Sequence, residues 1–383
     1  MSRLSSFSHN AEMTLKDRFM RLSWFYVFLV CMVAASGLVV LYSAANGNWN
    51  PWASKQFVRF CLGFGVMIVV GMTNLRFWLK YAYAFYTVAV IMLFIVEFFG
   101  HDAMGAQRWL NLGFIKVQPS ELMKIALILA LSRYFHGGSL QDAQSMSYIV
   151  TPSLMVLLPV GLVLKQPDLG TAVLMASGAV VLFFLVGVQM WKFGVMGFLG
   201  LISLPIGWRF LHDYQKERVF TFLDPERDPL GKGYHILQSK ITLGSGGIFG
   251  KGFLQGTQSR LNFLPEKQTD FIFTVLAEEF GLIGSVSLLM LYLVLIFYGC
   301  LIAFRSTSFF GRLLALGLSA NLFLYVFINI AMVMGLLPVV GVPLPMISYG
   351  GTVMLTLMFS FGLIECVNVN RDVQIGRRGA YDD

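Results

Sequence analysis

The chain alternates between long apolar runs and short polar breaks, with one interruption. About ten runs are long enough, or nearly so, to cross a ~30 Å hydrocarbon core as helices. They lie near residues 24–41, 57–73, 82–99, 120–134, 149–164, 169–188, 193–207, 271–303, 313–337 and 352–369. The fourth and seventh are short, and the eighth is long enough to tilt or to project beyond a bilayer. The interruption is a polar-rich stretch over 208–270, between the seventh and eighth runs. This pattern predicts an all-α polytopic membrane protein with about ten spans and one large loop between helices 7 and 8. Residues 1–383 form a single transmembrane domain, with the 208–270 loop inside it.

Lys and Arg bias sets the orientation. With the N-terminus inside, the inner segments hold Arg3, Lys16, Arg18, Arg21, Arg76, Lys80, Arg133, Lys192, Arg305, Arg312, Arg371, Arg377 and Arg378. The short outer segments hold only Lys55, Arg59, Arg108, Lys116 and Lys165. An even number of spans places both termini in the cytoplasm. The large loop is long enough to cross regardless of its charge, so it is expected outside.

Composition narrows the class further. The chain is 57% hydrophobic and 13% charged, against roughly 25% charge in a soluble domain. Its net charge of +8 needs no nucleic-acid partner, because basic residues favour cytoplasmic loops and anionic headgroups. Cys31, Cys61, Cys300 and Cys366 all fall inside apolar runs, so no loop disulfide is expected. The basic flank Lys16, Arg18 and Arg21 precedes a long first run, which reads as an uncleaved first helix rather than a signal peptide.

Candidate chemistry sits in the expected outer loops. The segment 100–114 contains Arg108-Trp109, either an interfacial anchor or a guanidinium fork for a phosphate. Gln118-Pro119-Ser120 starts a helix, and Glu121 and Lys124 then share one face at the edge of a short span. They form either a self-satisfied ion pair or one that also lines a polar cavity. Asp168, after Gln166-Pro167, is either a helix cap or a site residue, as cation ligand or partner of Lys124. The 244–252 tract is glycine-rich but fails the nucleotide-binding spacing, so no nucleotide cofactor is expected. Its glycines either bring backbone N–H groups to a phosphate or shape tight turns. Asp270 stands where the loop meets the eighth run, and is either a cap or a general base in a mixed dielectric. Glu278 and Glu279 lie roughly two turns further on, ~12 Å along the axis, placed to pair with a neighbouring helix. Three prolines in 338–345 predict irregular backbone able to wall a groove for a lipid tail. The five histidines have no metal-ligand spacing.

These motifs, taken together, resemble the SEDS family (shape, elongation, division and sporulation proteins) over almost the whole chain. The resemblance rests on Gln-Pro-Ser-Glu-Leu-Met-Lys at 118–124, Gln-Pro-Asp-Leu-Gly-Thr at 166–171 and Leu-Gly-Ser-Gly-Gly at 243–247. It rests equally on Thr-Asp-Phe-Ile-Phe at 269–273 and Pro-Met-Ile-Ser-Tyr-Gly-Gly at 345–351. Gly256-Thr257-Gln258-Ser259 ahead of Asn262-Phe263-Leu264-Pro265-Glu266 is similar to the rod-shape branch rather than the division branch. Lys267-Gln268 departs from the Arg-His often seen before this Thr-Asp.

The resemblance implies a ten-helix fold and a peptidoglycan glycosyltransferase that polymerises lipid II on the outer face of the bacterial cytoplasmic membrane during cell elongation. It places the family's essential aspartate on Asp270 and its polar-cavity residues on Glu121, Lys124 and Asp168. Arg108, Arg218 and Ser348 complete the expected substrate contacts. A divalent cation, Mg or Mn, is implied as well, with Glu121, Asp168 and Asp270 as its candidate ligands. The implied partners are lipid II, a class B penicillin-binding protein acting as transpeptidase, the elongation machinery and membrane lipids. Two other classes stay open on the residues alone: a lipid II flippase, and a non-catalytic scaffold for the transpeptidase. Candidate charges at the outer edge, rather than at mid-membrane, favour the enzyme.

Overall fold

The computed structural model describes residues 14–99, 101–103, 106–111, 116–139, 141–210, 213–224, 232–260 and 266–376. In chain order the first helices are α1 (Leu15–Met20), α2 (Trp24–Ala44), α3 (Trp52–Gly71) and α4 (Leu75–Phe99). Three short strands follow, β1 (His101–Ala103), β2 (Ala106–Asn111) and β3 (Lys116–Val117), then α5 (Pro119–Gly137), α6 (Met146–Lys165), α7 (Leu169–Val186) and α8 (Met190–Phe210). The polar interruption contains α9 (Asp213–Leu223), α10 (Lys232–Ser245) and α11 (Thr257–Arg260). The chain closes with α12 (Ile272–Arg305), α13 (Phe309–Val333) and α14 (Gly351–Val369).

Among the described residues, α2, α3, α4, α6, α7, α12, α13 and α14 are long and apolar enough to cross a membrane. The protein is a multi-pass membrane protein. α5 and α8 stand where the fourth and seventh spans are expected. α5 is less apolar because it carries Glu121, Lys124 and Arg133, and the apolar part of α8 is Met190–Ile202. Large apolar side chains such as Phe98, Leu157, Leu293 and Phe297 are exposed along these helices, as lipid-facing residues are.

The fold is the expected helical bundle, with one small addition: the segment after α4 pairs into a short antiparallel sheet, β1–β2–β3. Its alternating backbone satisfies polar groups that an open loop would leave to water. Within the expected 208–270 loop, the described residues include three helices, α9, α10 and α11.

Among the eight long apolar helices α13 and α14 are the most buried, so they form the inside of the bundle. α14 packs closely on α3 because Gly362 has no side chain: a Cβ there would lie 2.8 Å from the Val70 Cβ and 2.9 Å from the Met67 carbonyl. Small residues let membrane helices approach in this way, where packing rather than water exclusion drives association.

Candidate functional site

Asp270 lies in a turn over 266–271 that leads directly into α12. That turn is stitched to the proline-rich segment 338–350. The Ser348 hydroxyl donates to the Thr269 carbonyl (2.6 Å) and accepts from the Leu344 N–H (2.7 Å). The Tyr349 N–H donates to the Gln268 carbonyl (2.8 Å). From α3, Gln56 donates to the Ser348 carbonyl (3.0 Å), and the Arg59 guanidinium stacks on the Tyr349 ring, 4.6 Å from its centroid. From α13, the Asn329 amide donates to both the Asp270 carbonyl (3.0 Å) and the Val342 carbonyl (2.7 Å). The Asp270 carboxylate itself faces Gly341, where a Cβ would lie 3.5 Å from Oδ2. Ser348, expected to touch substrate, has its hydroxyl engaged in holding the Asp270 turn to this segment.

Lys267 belongs to the same turn and is 5% exposed. Burial pulls its ammonium pKa below the ordinary lysine value.

Glu121 and Lys124 do form an ion pair, on consecutive turns of α5, at 2.6 Å. Their side chains are 5% and 3% exposed. Tyr325 of α13 completes the group: its hydroxyl donates to Glu121 (2.6 Å), and the Lys124 ammonium donates to that hydroxyl. Among the described residues Lys124 therefore spends two of its three donors, leaving one for a ligand.

Asp168 is a true N-cap. Its oxygens accept from the Thr171 N–H (3.2 Å) and hydroxyl (3.0 Å) at the start of α7. It also accepts from Gln118 (3.4 Å), just ahead of α5, and lies 4.0 Å from an Arg108 nitrogen. Arg108, on β2, donates to the Gln166 and Pro167 carbonyls at 3.3 and 2.5 Å, which clasps the sheet to the α6–α7 turn.

The start of α7 touches the proline segment. A Cβ on Gly170 would lie 2.7 Å from the Val340 carbonyl and 3.0 Å from a Val342 methyl. The N-termini of α5, α7, α12 and α14 thus gather around one set of loops. Helix N-termini carry partial positive charge and free N–H groups, which suits an anionic ligand.

The glycine tract has a different role. Its backbone lies on α12 where that helix breaks at Gly281 (φ 64°, ψ −158°). Lys251 and Gly252 donate to the Glu278 and Glu279 carbonyls (both 3.0 Å), while Leu282 and Ile283 donate to Gly247 and Ile248 (3.0 and 3.2 Å). The Lys251 and Gly252 N–H groups are spent on carbonyls, which favours shaped backbone over a phosphate cradle. Glu278 pairs with Lys251 (2.8 Å), and Glu279 accepts from Ser43 of α2 (2.5 Å). Both acids serve this joint.

Two of the three candidate metal ligands have their oxygens engaged by protein groups. Glu121 is held by Lys124 and Tyr325, and Asp168 by Thr171 and Gln118. Among the described residues no three His, Cys, Asp or Glu gather in a metal-holding group. Arg218 lies on α9, with its side chain outside the described residues, as is the 261–265 part of the loop motif. The residues missed from sequence are Gln56, Gln118, Tyr325, Asn329 and Gly341. Asn321, Tyr325 and Asn329 recur every fourth position in an otherwise apolar span, and that polar stripe was the available signal.

A polytopic bundle with a carboxylate, a buried lysine and clustered helix N-termini at one end has the groups of a membrane-embedded site suited to an anionic ligand. The chain belongs to the cell cycle protein family of FtsW, RodA and SpoVE, whose model matches residues 18–373. It is 44% identical over 346 residues to the peptidoglycan glycosyltransferase MrdB of Escherichia coli K12, covering 90% of this chain and 92% of that one. The MrdB of Helicobacter pylori 26695 is 37% identical over 347 residues, covering 89% and 88%. Among solved structures, a chain from a study of polymerization and crosslinking by a peptidoglycan synthase complex superposes with a TM-score of 0.80 at 32% identity, covering 94% and 99%. The rod shape determining protein RodA of Thermus thermophilus gives 0.69 at 29% identity, covering 91% and 97%.

Proposed function

We propose that this peptidoglycan glycosyltransferase polymerises lipid II, with Asp270 as its general base. Glycan extension needs the 4-hydroxyl of one sugar to attack the anomeric carbon of another that carries the lipid pyrophosphate. The new C–O bond forms as the hydroxyl proton passes to the Asp270 carboxylate. The bond from the anomeric carbon to the pyrophosphate oxygen breaks, and negative charge grows on the leaving group. The remaining Lys124 donor, the partly exposed Arg108 and the clustered helix N-termini supply positive potential for that charge. Glu121 and Tyr325 hold Lys124, and Asp168 holds the start of α7. A polyprenyl tail in the membrane delivers both substrates in two dimensions, already oriented.

The observation that carries this reading is the placement of Asp270. It stands at the entry to α12, with its carboxylate beside a glycine, within loops on which four helix N-termini converge. We place this end of the bundle outside the cytoplasmic membrane and both termini inside, on the Lys/Arg bias. A class B penicillin-binding protein is the partner we assign, a choice supported by the likeness to a chain of a peptidoglycan synthase complex.

The test is reconstitution of purified protein with labelled lipid II. A general base is worth ~10²–10⁴-fold, so Asp270→Asn is expected to lose polymerisation by that margin while eluting as a folded protein. Near-normal glycan synthesis by that variant removes the role. Translocation without polymer would instead point to a flippase, and neither activity to a scaffold.

A further inference from the structure

Asn329 is fully buried on α13, yet it touches neither of the charged groups assigned to the chemistry. Both of its amide bonds go to backbone carbonyls in two different loops, Asp270 at 3.0 Å and Val342 at 2.7 Å. Its Oδ1 is buried and has no donor among the described residues. Burying a polar oxygen without a partner is costly, and an apolar residue of the same size would avoid that cost. The carboxamide therefore matters for its N–H groups and for what they hold.

They hold the two sides of the Asp270 carboxylate. One bond fixes the backbone from which that carboxylate projects. The other fixes the residue after Gly341, the surface against which the carboxylate rests. Tyr325 lies four residues earlier, on the same face of α13, and grips the Glu121–Lys124 pair. One turn of one rigid helix, about 6 Å along its axis, thus connects the groups assigned to the leaving pyrophosphate with the group assigned to the proton.

We infer that Asn329 is a positioning residue for the transfer reaction. It sets the Asp270 carboxylate at a fixed distance from Lys124, and it acts through the backbone without touching substrate. The inference rests on the reading of Asp270 as base. A displacement of ~1 Å in a reacting group can cost ~10²-fold in rate. Loss of the two N–H groups is thus expected to lower kcat and spare KM.

The experiment measures kcat and KM for labelled lipid II, per folded molecule of full-length purified protein. Asn329→Leu keeps the volume and removes both donors, and is expected to lower kcat by ~10-fold or more with KM within ~2-fold. If Asn329→Leu does not fold, Asn329→Ser keeps one hydroxyl donor and carries the test, with a smaller fall in kcat and the same KM. Phe310→Leu, at the far end of α13, controls for lost packing and is expected to lower Tm with kcat unchanged. A kcat within ~3-fold of wild type, or a rise in KM alone, overturns the positioning role. Asp270→Asn is run in parallel: if it polymerises normally, the base reading fails whatever Asn329→Leu does. If it is inactive while Asn329→Leu is near normal, only the positioning role fails.

Discussion

The Asp270 carboxylate rests against Gly341: a Cβ at that glycine would sit 3.5 Å from Oδ2, and the glycine has φ +74°. Ordinary van der Waals contact leaves room for one carbon and no more. Left-handed backbone at a residue with a Cβ costs roughly 1–2 kcal/mol. Gly341→Ala is therefore expected to relax its loop and move the surface that the carboxylate leans on. The expected outcome is a fall in polymerisation of ~10-fold with a small loss of Tm, and Gly341→Val is expected to be worse on both counts.

The buried pair on α5 makes a second prediction. Removing one partner of such a pair leaves an uncompensated charge, which costs about 3–5 kcal/mol. Lys124→Met alone is expected to lower Tm sharply in detergent. Glu121→Gln combined with Lys124→Met is expected to recover most of that stability, because no charge is then left buried. Polymerisation is expected to stay lost in both proteins, since the ammonium is absent from each. Activity in the double variant would show that Lys124 serves stability alone.

The break in α12 is a backbone necessity. Gly281 has φ 64° and ψ −158°, a region open essentially to glycine. A Cβ there would also meet the Gly250 nitrogen at 2.3 Å, which is backbone and cannot yield. Gly281→Ala is expected to abolish accumulation of folded protein. Gly161→Ala, on α6 with nothing within 4 Å of the added carbon, is expected to hold or raise Tm. Size-exclusion profiles of the two variants, side by side, decide the matter.

Lys267 has a pH signature. Its pKa is lowered from 10.5 by burial, so the folded state binds fewer protons than the unfolded chain in the window below 10.5. Stability from this group therefore rises with pH across that window, as the buried ammonium loses its proton. The Tm of the wild type relative to Lys267→Met is therefore expected to climb as pH rises toward 10.5. A gap in Tm that is constant with pH would show that Lys267 is not strained by burial.

Much of this protein was legible in the chain alone, because a bilayer leaves few options. Backbone polar groups must be satisfied within each span, so apolar runs of sufficient length become helices whatever their neighbours are. The proline-acid and proline-serine breaks marked helix starts for the same local reason: the fixed φ of Pro119 and the short acceptor of Asp168 suit a first turn. What lay outside local rules was assignment of roles. The glycine tract offered its N–H groups to a ligand or to the backbone, and only the arrival of α12 beside it decided for the backbone. That the Ser348 hydroxyl would reach the Thr269 carbonyl, 79 residues away, could not be read from its neighbours. Tyr325 and Asn329 passed as ordinary residues of an apolar span, since nothing within a few positions of either reveals Glu121 or Asp270. Hydrophobic length and helix caps act over one or two turns and are written in order along the chain. The pairing of a buried lysine with a tyrosine 201 residues away, or of an amide with the backbone of an acid in another loop, exists only once the helices pack.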